Sequence, residues 1–142
     1  MKHYACRYAI VQFAPYTETG EFANVGIVIA CPETGYFDFK LQTRRYARVT
    51  AFFDELNADI YRTALKAMET ELERIQSLVI VLPAVLERAD RIRDLLAALT
   101  HPREAMVRFG QVRPILAQDP ATQLIKLFDH YVDHAFVTPE YV

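Results

Sequence analysis

The residues of this chain with types and spacing suited to chemistry fall into four groups. The first lies in the stretch GEFANVGIV, where Glu21, Asn24 and Gly26 interrupt an apolar run. A carboxylate and an amide facing a cleft with Arg103, from the later segment THPRE, would make a polar constellation able to hold a phosphate or a peptide group. The local alternative is a carboxylate accepting turn amides, a buried amide satisfied by nearby backbone, and a glycine that lets a neighbouring strand or ring approach. The second group is TRRYARV, in which Arg44, Arg45 and Arg48 surround Tyr46. Guanidiniums beside an aromatic suit phosphate and base stacking, and they also suit a solvated face or an acidic protein partner. The third is His130 and His134, spaced i, i+4 with Asp129 and Asp133 adjacent. That spacing can chelate a metal from one helical face. However, HYVDH lacks the Glu that follows the first His in zinc-protease helices, and no third ligand is evident, so no metal or cofactor is assigned.

The fourth group is Cys6 and Cys31. Two cysteines cannot build a zinc site alone, and buried free thiols are the expectation. A hairpin turning at YTETGE would bring them close, since they are about equally far from the turn. Nucleophiles are otherwise scarce. Ser77 is the one serine, it falls in a helical pattern, and no G-x-S-x-G elbow surrounds it. The four glycines, Gly20, Gly26, Gly35 and Gly110, are too far apart for a phosphate-cradling loop. The inventory therefore leans away from an enzyme, with carboxylate chemistry through Glu21 the one route left open.

The elements that must position these groups follow from periodicity. Residues 4–14, YACRYAIVQFA, read as a strand, EFANVGIVIAC as a second, and YFDFKLQ as a third, with PYTETG and PETG supplying the turns. The second strand is apolar on both alternating faces, with Ala23, Val25, Ile27, Ile29 and Cys31 on one and Phe22, Val28 and Ala30 on the other. From Asn57, a suitable N-cap, the period becomes helical, and Tyr61, Leu65, Met68, Leu72, Ile75, Val79 and Leu82 form a stripe. Pro83 interrupts it before a second helix that carries Val85, Ala89, Ile92, Leu96 and Leu99 on one stripe. The run SLVIVL fits a strand as well as a helix by composition, and is assigned to the helix. MVRFGQVRPIL returns to a strand pattern, placed at a sheet edge or bulge by Pro114. Asp119 and Pro120 open a last helix carrying Leu124, Phe128, Tyr131 and Ala135.

The expectation is one α+β domain over residues 1–142: an antiparallel β-meander (1–43), a helical middle (57–99), a later edge strand (105–117) and a C-terminal helix (119–136), with the helices packed on one sheet face. The abrupt tail VTPEYV suggests a shortened form of a longer chain. At 52% hydrophobic and 24% charged residues, the composition is that of an ordinary globular protein. The formal net charge of -2 gives no whole-molecule attraction for nucleic acid or anionic lipid. Charge is nevertheless polarised: residues 1–50 carry 6 Lys and Arg against 4 Asp and Glu, and residues 51–100 carry 6 against 9. The longest apolar run is about half of the roughly 20 residues a membrane span needs, and MKHYACRYAI lacks the features of a signal peptide. A cytoplasmic protein without membrane association is expected.

The succession YAIVQFAPYTETGEFANVGIVIACPETGYF, then LTHPRE, then a strand and DPATQLIKLFDHYV resembles the bacterial family of unknown function DUF3037 over nearly the whole chain, most specifically in GEFANVGIV. By that resemblance Glu21, Asn24, Gly26, Arg103, Asp119 and Pro120 fall on motif positions, with no roles attached. The resemblance also implies genes placed beside HipA-like kinases and on mobile elements. Three function classes follow. The leading one is a non-enzymatic interaction module that binds another protein, accessory to a HipA-like kinase or a defence-related system, with a homodimer as a variant. The second is a nucleic-acid-binding or phosphoryl-handling protein using Arg44, Arg45, Arg48 and Arg103. The third is a phage or mobile-element inhibitor of a host nucleoprotein complex.

Overall fold

The computed structural model describes residues 2–16, 18–53, 56–101 and 105–134. Strands β1 (Tyr4–Phe13) and β2 (Ala23–Cys31) pair antiparallel, and β3 (Tyr36–Leu41) adds to the free edge of β2. The β2–β3 connection is one 3-10 turn, Pro32–Thr34, closed by Gly35 at φ 68°, where the Gly35 amide donates to the Pro32 carbonyl at 3.1 Å. A left-handed residue is needed at this stop, and glycine adopts it without a Cβ penalty.

The other edge of β1 carries two short strands rather than the single one read over 105–117. β4 (Val107–Phe109) lies opposite Val11–Phe13, and β5 (Arg113–Ala117) lies opposite Tyr4–Tyr8. From Phe109 to Arg113 the edge advances four residues while β1 advances three, so one extra residue is extruded and the ladder is interrupted. Pro114 sits in β5 opposite Arg7, on the outside of the sheet as its missing amide proton requires. The result is a five-stranded antiparallel sheet, order β3-β2-β1 and then β4 with β5.

The helices are α1 (Ala47–Phe52), α2 (Ala58–Ile80), α3 (Val85–Leu99) and α4 (Pro120–Phe128), the last running into a π-helical turn, Asp129–His134. α2 starts as the sequence requires, with the Asn57 side chain accepting from the Asp59 amide at 2.8 Å, and SLVI stays helical to Ile80. α1 has no counterpart in the sequence reading, because six residues with one buried side chain, Val49, leave no periodic trace.

The fold is α+β, but its helices do not share one face. One core joins Val11, Phe13, Val25, Val28 and Phe37 to Tyr61, Leu65, Leu72, Ile92 and Leu96 of α2 and α3. A second core, on the opposite side of the sheet, joins Tyr8, Ile10, Ile27 and Ile29 to Leu124, Leu127 and Phe128 of α4 and Val132 beyond it. The cause is a bulge in β2. Val11 pairs with Gly26 and Gln12 with Asn24, so Val25 is an extra residue and the alternation changes phase there. Ala23 and Val25 thus share a face with Val28 and Ala30, while Ile27, Ile29 and Cys31 turn to the other side. Strict alternation had put Ala23, Val25, Ile27, Ile29 and Cys31 together. With buried apolar rows on both faces, the sheet needs a second cover, and α4 provides it.

Candidate functional site

The end of β3 is the organising point of the site. The Gln42 amide extends the ladder by donating to the Val25 carbonyl at 2.7 Å, and its own carbonyl accepts from the Tyr61 hydroxyl at 2.7 Å. Tyr61 is fully buried, which pushes its phenol well above the ordinary tyrosine range and keeps it a donor. Tyr46 packs on the Tyr61 ring at 4.8 Å, and its hydroxyl accepts from Arg62 at 3.0 Å. The short loop between, residues 43–45, is therefore pinned at both ends while its own side chains stay exposed.

Three grooves meet on this loop. One, of about 350 Å³, is lined by Lys40, Thr43, Arg44 and Arg45 with Phe128 and Asp133. A second, of about 620 Å³, lies between Arg45, Ala47 and Arg48 on one side and Asp129, Asp133 and His134 on the other. A third, of about 450 Å³, runs from Arg44 along the Tyr61, Leu65 and Glu69 face of α2. Arg44 and Arg45 are exposed, and among the described residues neither has an ion-pair partner.

Arg48 behaves differently from its neighbours. Its guanidinium donates to the carbonyls of Val132 at 2.7 Å and Asp133 at 2.8 Å, bridging two carbonyls of the π turn. One planar fork thus serves two carbonyl acceptors at once, which an ammonium could not reproduce. Two other polar side chains hold the same turn. Asn24, buried in β2, donates from Nδ2 to the Tyr131 carbonyl at 3.2 Å, and Gln42 Nε2 donates to the Asp133 carboxylate at 3.1 Å. The Tyr8 and Tyr131 hydroxyls share a further hydrogen bond at 3.2 Å, and the Lys40 ammonium stands 4.5 Å from the centre of the Phe128 ring. Asn24, Gln42 and Arg48 thus form a polar latch that fixes Asp129–His134 on the sheet.

The sequence-derived residues are therefore divided. Asn24 and Arg48 meet at the latch, while Arg44 and Arg45 are left at the grooves. Glu21 sits half-buried at the hairpin mouth, its amide donating to the Thr19 hydroxyl at 3.4 Å, and it lines none of the three grooves. Arg103 lies outside the described residues. His130 packs edge-on against the Tyr131 ring at 4.7 Å, whereas His134 Nε2 approaches Asp129 Oδ2 at 3.3 Å. The π turn explains the pairing, since its i→i+5 repeat stacks residues five apart rather than four. Among the described residues no three His, Cys, Asp or Glu side chains gather into a set that could hold a metal.

Cys6 and Cys31 are both buried and interact, as the hairpin symmetry requires, and both are free thiols. Burial and the neighbouring Cys31 push the Cys6 thiol up to about 12, which leaves it protonated and unreactive at neutral pH. Residues that the sequence reading missed are Gln42, Lys40 and Tyr61. A polar side chain at the inner end of a strand is the one signal that would have found Gln42.

Among the described residues no helix is long and apolar enough to cross a membrane. The family model of the proteins of unknown function DUF3037 matches residues 8–132, and the chain belongs to that family. No curated protein and no solved structure matches the chain.

Proposed function

We propose that this DUF3037 member is a non-enzymatic interaction module, binding another protein through the loop at residues 43–45 and the grooves that meet there. The observation that carries the reading is the pair Arg44 and Arg45, exposed, adjacent and without ion-pair partners among the described residues. A catalytic reading would need Asn24 and Arg48 to face a reacting group, and both donate to backbone of the π turn instead. The loop is anchored at both ends through Gln42 and Tyr46, which favours recognition because little backbone ordering remains to oppose binding. The preferred partner surface is acidic, since guanidiniums pair bidentately with carboxylates.

The nucleic-acid alternative is supported less. Tyr46, the aromatic it would use for stacking, is packed on Tyr61, and Asp129, Asp133 and Glu69 border the grooves on either side. A HipA-like kinase and components of mobile-element or defence systems are the first partners to seek.

The test is affinity capture from source cells with the wild-type protein and with the double variant Arg44→Gln, Arg45→Gln, each with and without nuclease. A defined protein should be captured by the wild type, survive nuclease and be lost with the double variant. Capture that ignores the two substitutions, or that disappears with nuclease, would overturn the proposal.

A further inference from the structure

We infer that the groove bounded by Lys40, Arg44 and Arg45 is a site for a compact dianion of the phosphomonoester class. The inference deepens the reading of this loop as a partner-binding face and rests on it. Three cations from one strand end and its following loop line the same groove of about 350 Å³. Among the described residues none of the three forms an ion pair with a carboxylate. Most other cations of the chain are engaged: Arg62, Lys66, Arg74 and Arg93 pair with acids one turn away, and Arg48, Arg88 and Arg91 bond backbone carbonyls. Three cations beside one acid, Asp133, leave a net positive charge on the groove, and a bound anion relieves their mutual repulsion.

The shape and surroundings select the kind of anion. Lys40 is directed across the Phe128 ring, so its ammonium is positioned by an aromatic face rather than loose in water. Arg44 and Arg45 bring planar forks that match the oxygens of a phosphate, and Thr43 adds a hydroxyl to the same lining. Asp133 is the one acid on the groove, and its carboxylate already accepts from Gln42. An extended polyanion would leave this patch at once and meet Asp129 on one side or Glu69 on the other. A compact group carrying two negative charges can be held by the three cations without reaching Asp129 or Glu69, with Asp133 the one acid it meets.

The site is tested by following backbone and arginine side-chain NMR signals while inorganic phosphate is titrated at fixed ionic strength against chloride. The same titration is run with a peptide bearing one phosphoserine and with its unphosphorylated form. Saturable shifts confined to residues 40–45 are expected, weakened at least tenfold in the double variant Arg44→Gln, Arg45→Gln and also in Lys40→Gln. All three side chains are exposed, and circular dichroism checks that each variant is folded. Tighter binding of the phosphopeptide than of phosphate would assign the dianion to a partner's modified side chain, and equal binding would assign it to a free phosphorylated small molecule. Shifts that do not saturate, that persist in both variants, or that a short single-stranded oligonucleotide produces at lower concentration than either phosphate would overturn the inference. Loss of phosphate binding with partner capture still dependent on Arg44 and Arg45 would sink this site alone. Capture independent of those arginines would sink the broader reading.

Discussion

Replacing Gly26 with Ala tests whether the bulge of β2 was built around a missing side chain. A Cβ at this position would lie 2.5 Å from Leu41 Cδ2, 2.8 Å from the Lys40 carbonyl oxygen and 3.3 Å from Val11 Cβ. The Leu41 methyl can turn away, although Leu41 is itself in the core. The Lys40 oxygen cannot, because it belongs to the backbone of the neighbouring strand, in the ladder where Lys40 faces Ile27. Relief requires β2 and β3 to part or the bulge to flatten. Overpacking of this kind costs about 1–3 kcal/mol, and contact with backbone places Gly26→Ala at the upper end. A less flexible unfolded chain returns roughly 0.5 kcal/mol, leaving a net loss of about 2–3 kcal/mol. For a chain of this size the midpoint of thermal unfolding should fall by about 8 °C. Gly20→Ala is the control: Gly20 has φ 72° but nothing within 4 Å of its Cβ position, so only backbone strain of about 1 kcal/mol applies. Urea unfolding of the three proteins, with unchanged m, gives the comparison. Gly26→Ala within about 0.5 kcal/mol of wild type, or no worse than Gly20→Ala, would refute the crowding argument.

Arg48→Ala should cost about 1–2 kcal/mol, since it removes two charge-assisted hydrogen bonds from a guanidinium that is partly in water. Amide exchange of residues 130–134 should quicken more than that of the strands, and Arg48→Lys should not restore protection because an ammonium lacks the fork; unchanged exchange in Arg48→Ala would remove the latch. Stability should also be flat up to about pH 8 and fall between about pH 9 and pH 12. Cys6, raised to about 12, and Tyr61, also raised, both hold their protons more tightly in the folded state. Their contribution is therefore complete below the unfolded values of about 8.5 and 10 and is lost as pH rises through the folded ones. Denaturant titrations from pH 7 to pH 11 check this, with Cys6→Ala expected to delay the onset; a profile that is flat or rising over that range contradicts it.

The helical half of the fold was legible because its signals are local. Asn57, the stripe from Tyr61 to Val79, and the Asp119–Pro120 start each depend on residues a few positions apart; Asn57 caps α2 through its side chain, whereas Asp119 holds the N-cap position of α4 with its carboxylate accepting from the Thr122 hydroxyl rather than from a backbone amide. The sheet was legible in its order of strands but not in its faces. One extra residue at Val25 reverses every side chain after it, and nothing in ANVGIVIAC announces the shift except the glycine beside it. The apolar character of β2 on both faces was visible all the same, and it already implied two covers rather than one. At the candidate site the residue types were readable and the partners were not. Asn24 is 107 positions from the carbonyl it binds, and Arg48 is 84 and 85 positions from its two. Only folding tells an arginine that bonds distant carbonyls from one left facing solvent.

The edges of the sheet narrow the ways in which this fold can engage a partner. On β3, the Phe39 amide donates to the Asp38 carboxylate at 2.8 Å, and the Phe37 carbonyl accepts from Gln76 of α2 at 3.1 Å. Side chains thus occupy backbone groups that an incoming strand would require. The opposite edge is broken between Phe109 and Arg113 and carries Pro114, which has no amide proton to offer. Strand addition, the common route by which an open sheet recruits a peptide or a second copy, is therefore obstructed on both sides. Recognition is left to side-chain surfaces, and among them the loop between Gln42 and Tyr46 combines a fixed backbone with unneutralised charge. Under the interaction reading proposed above, that combination, rather than the polar residues of β2, is where changes in sequence should alter binding.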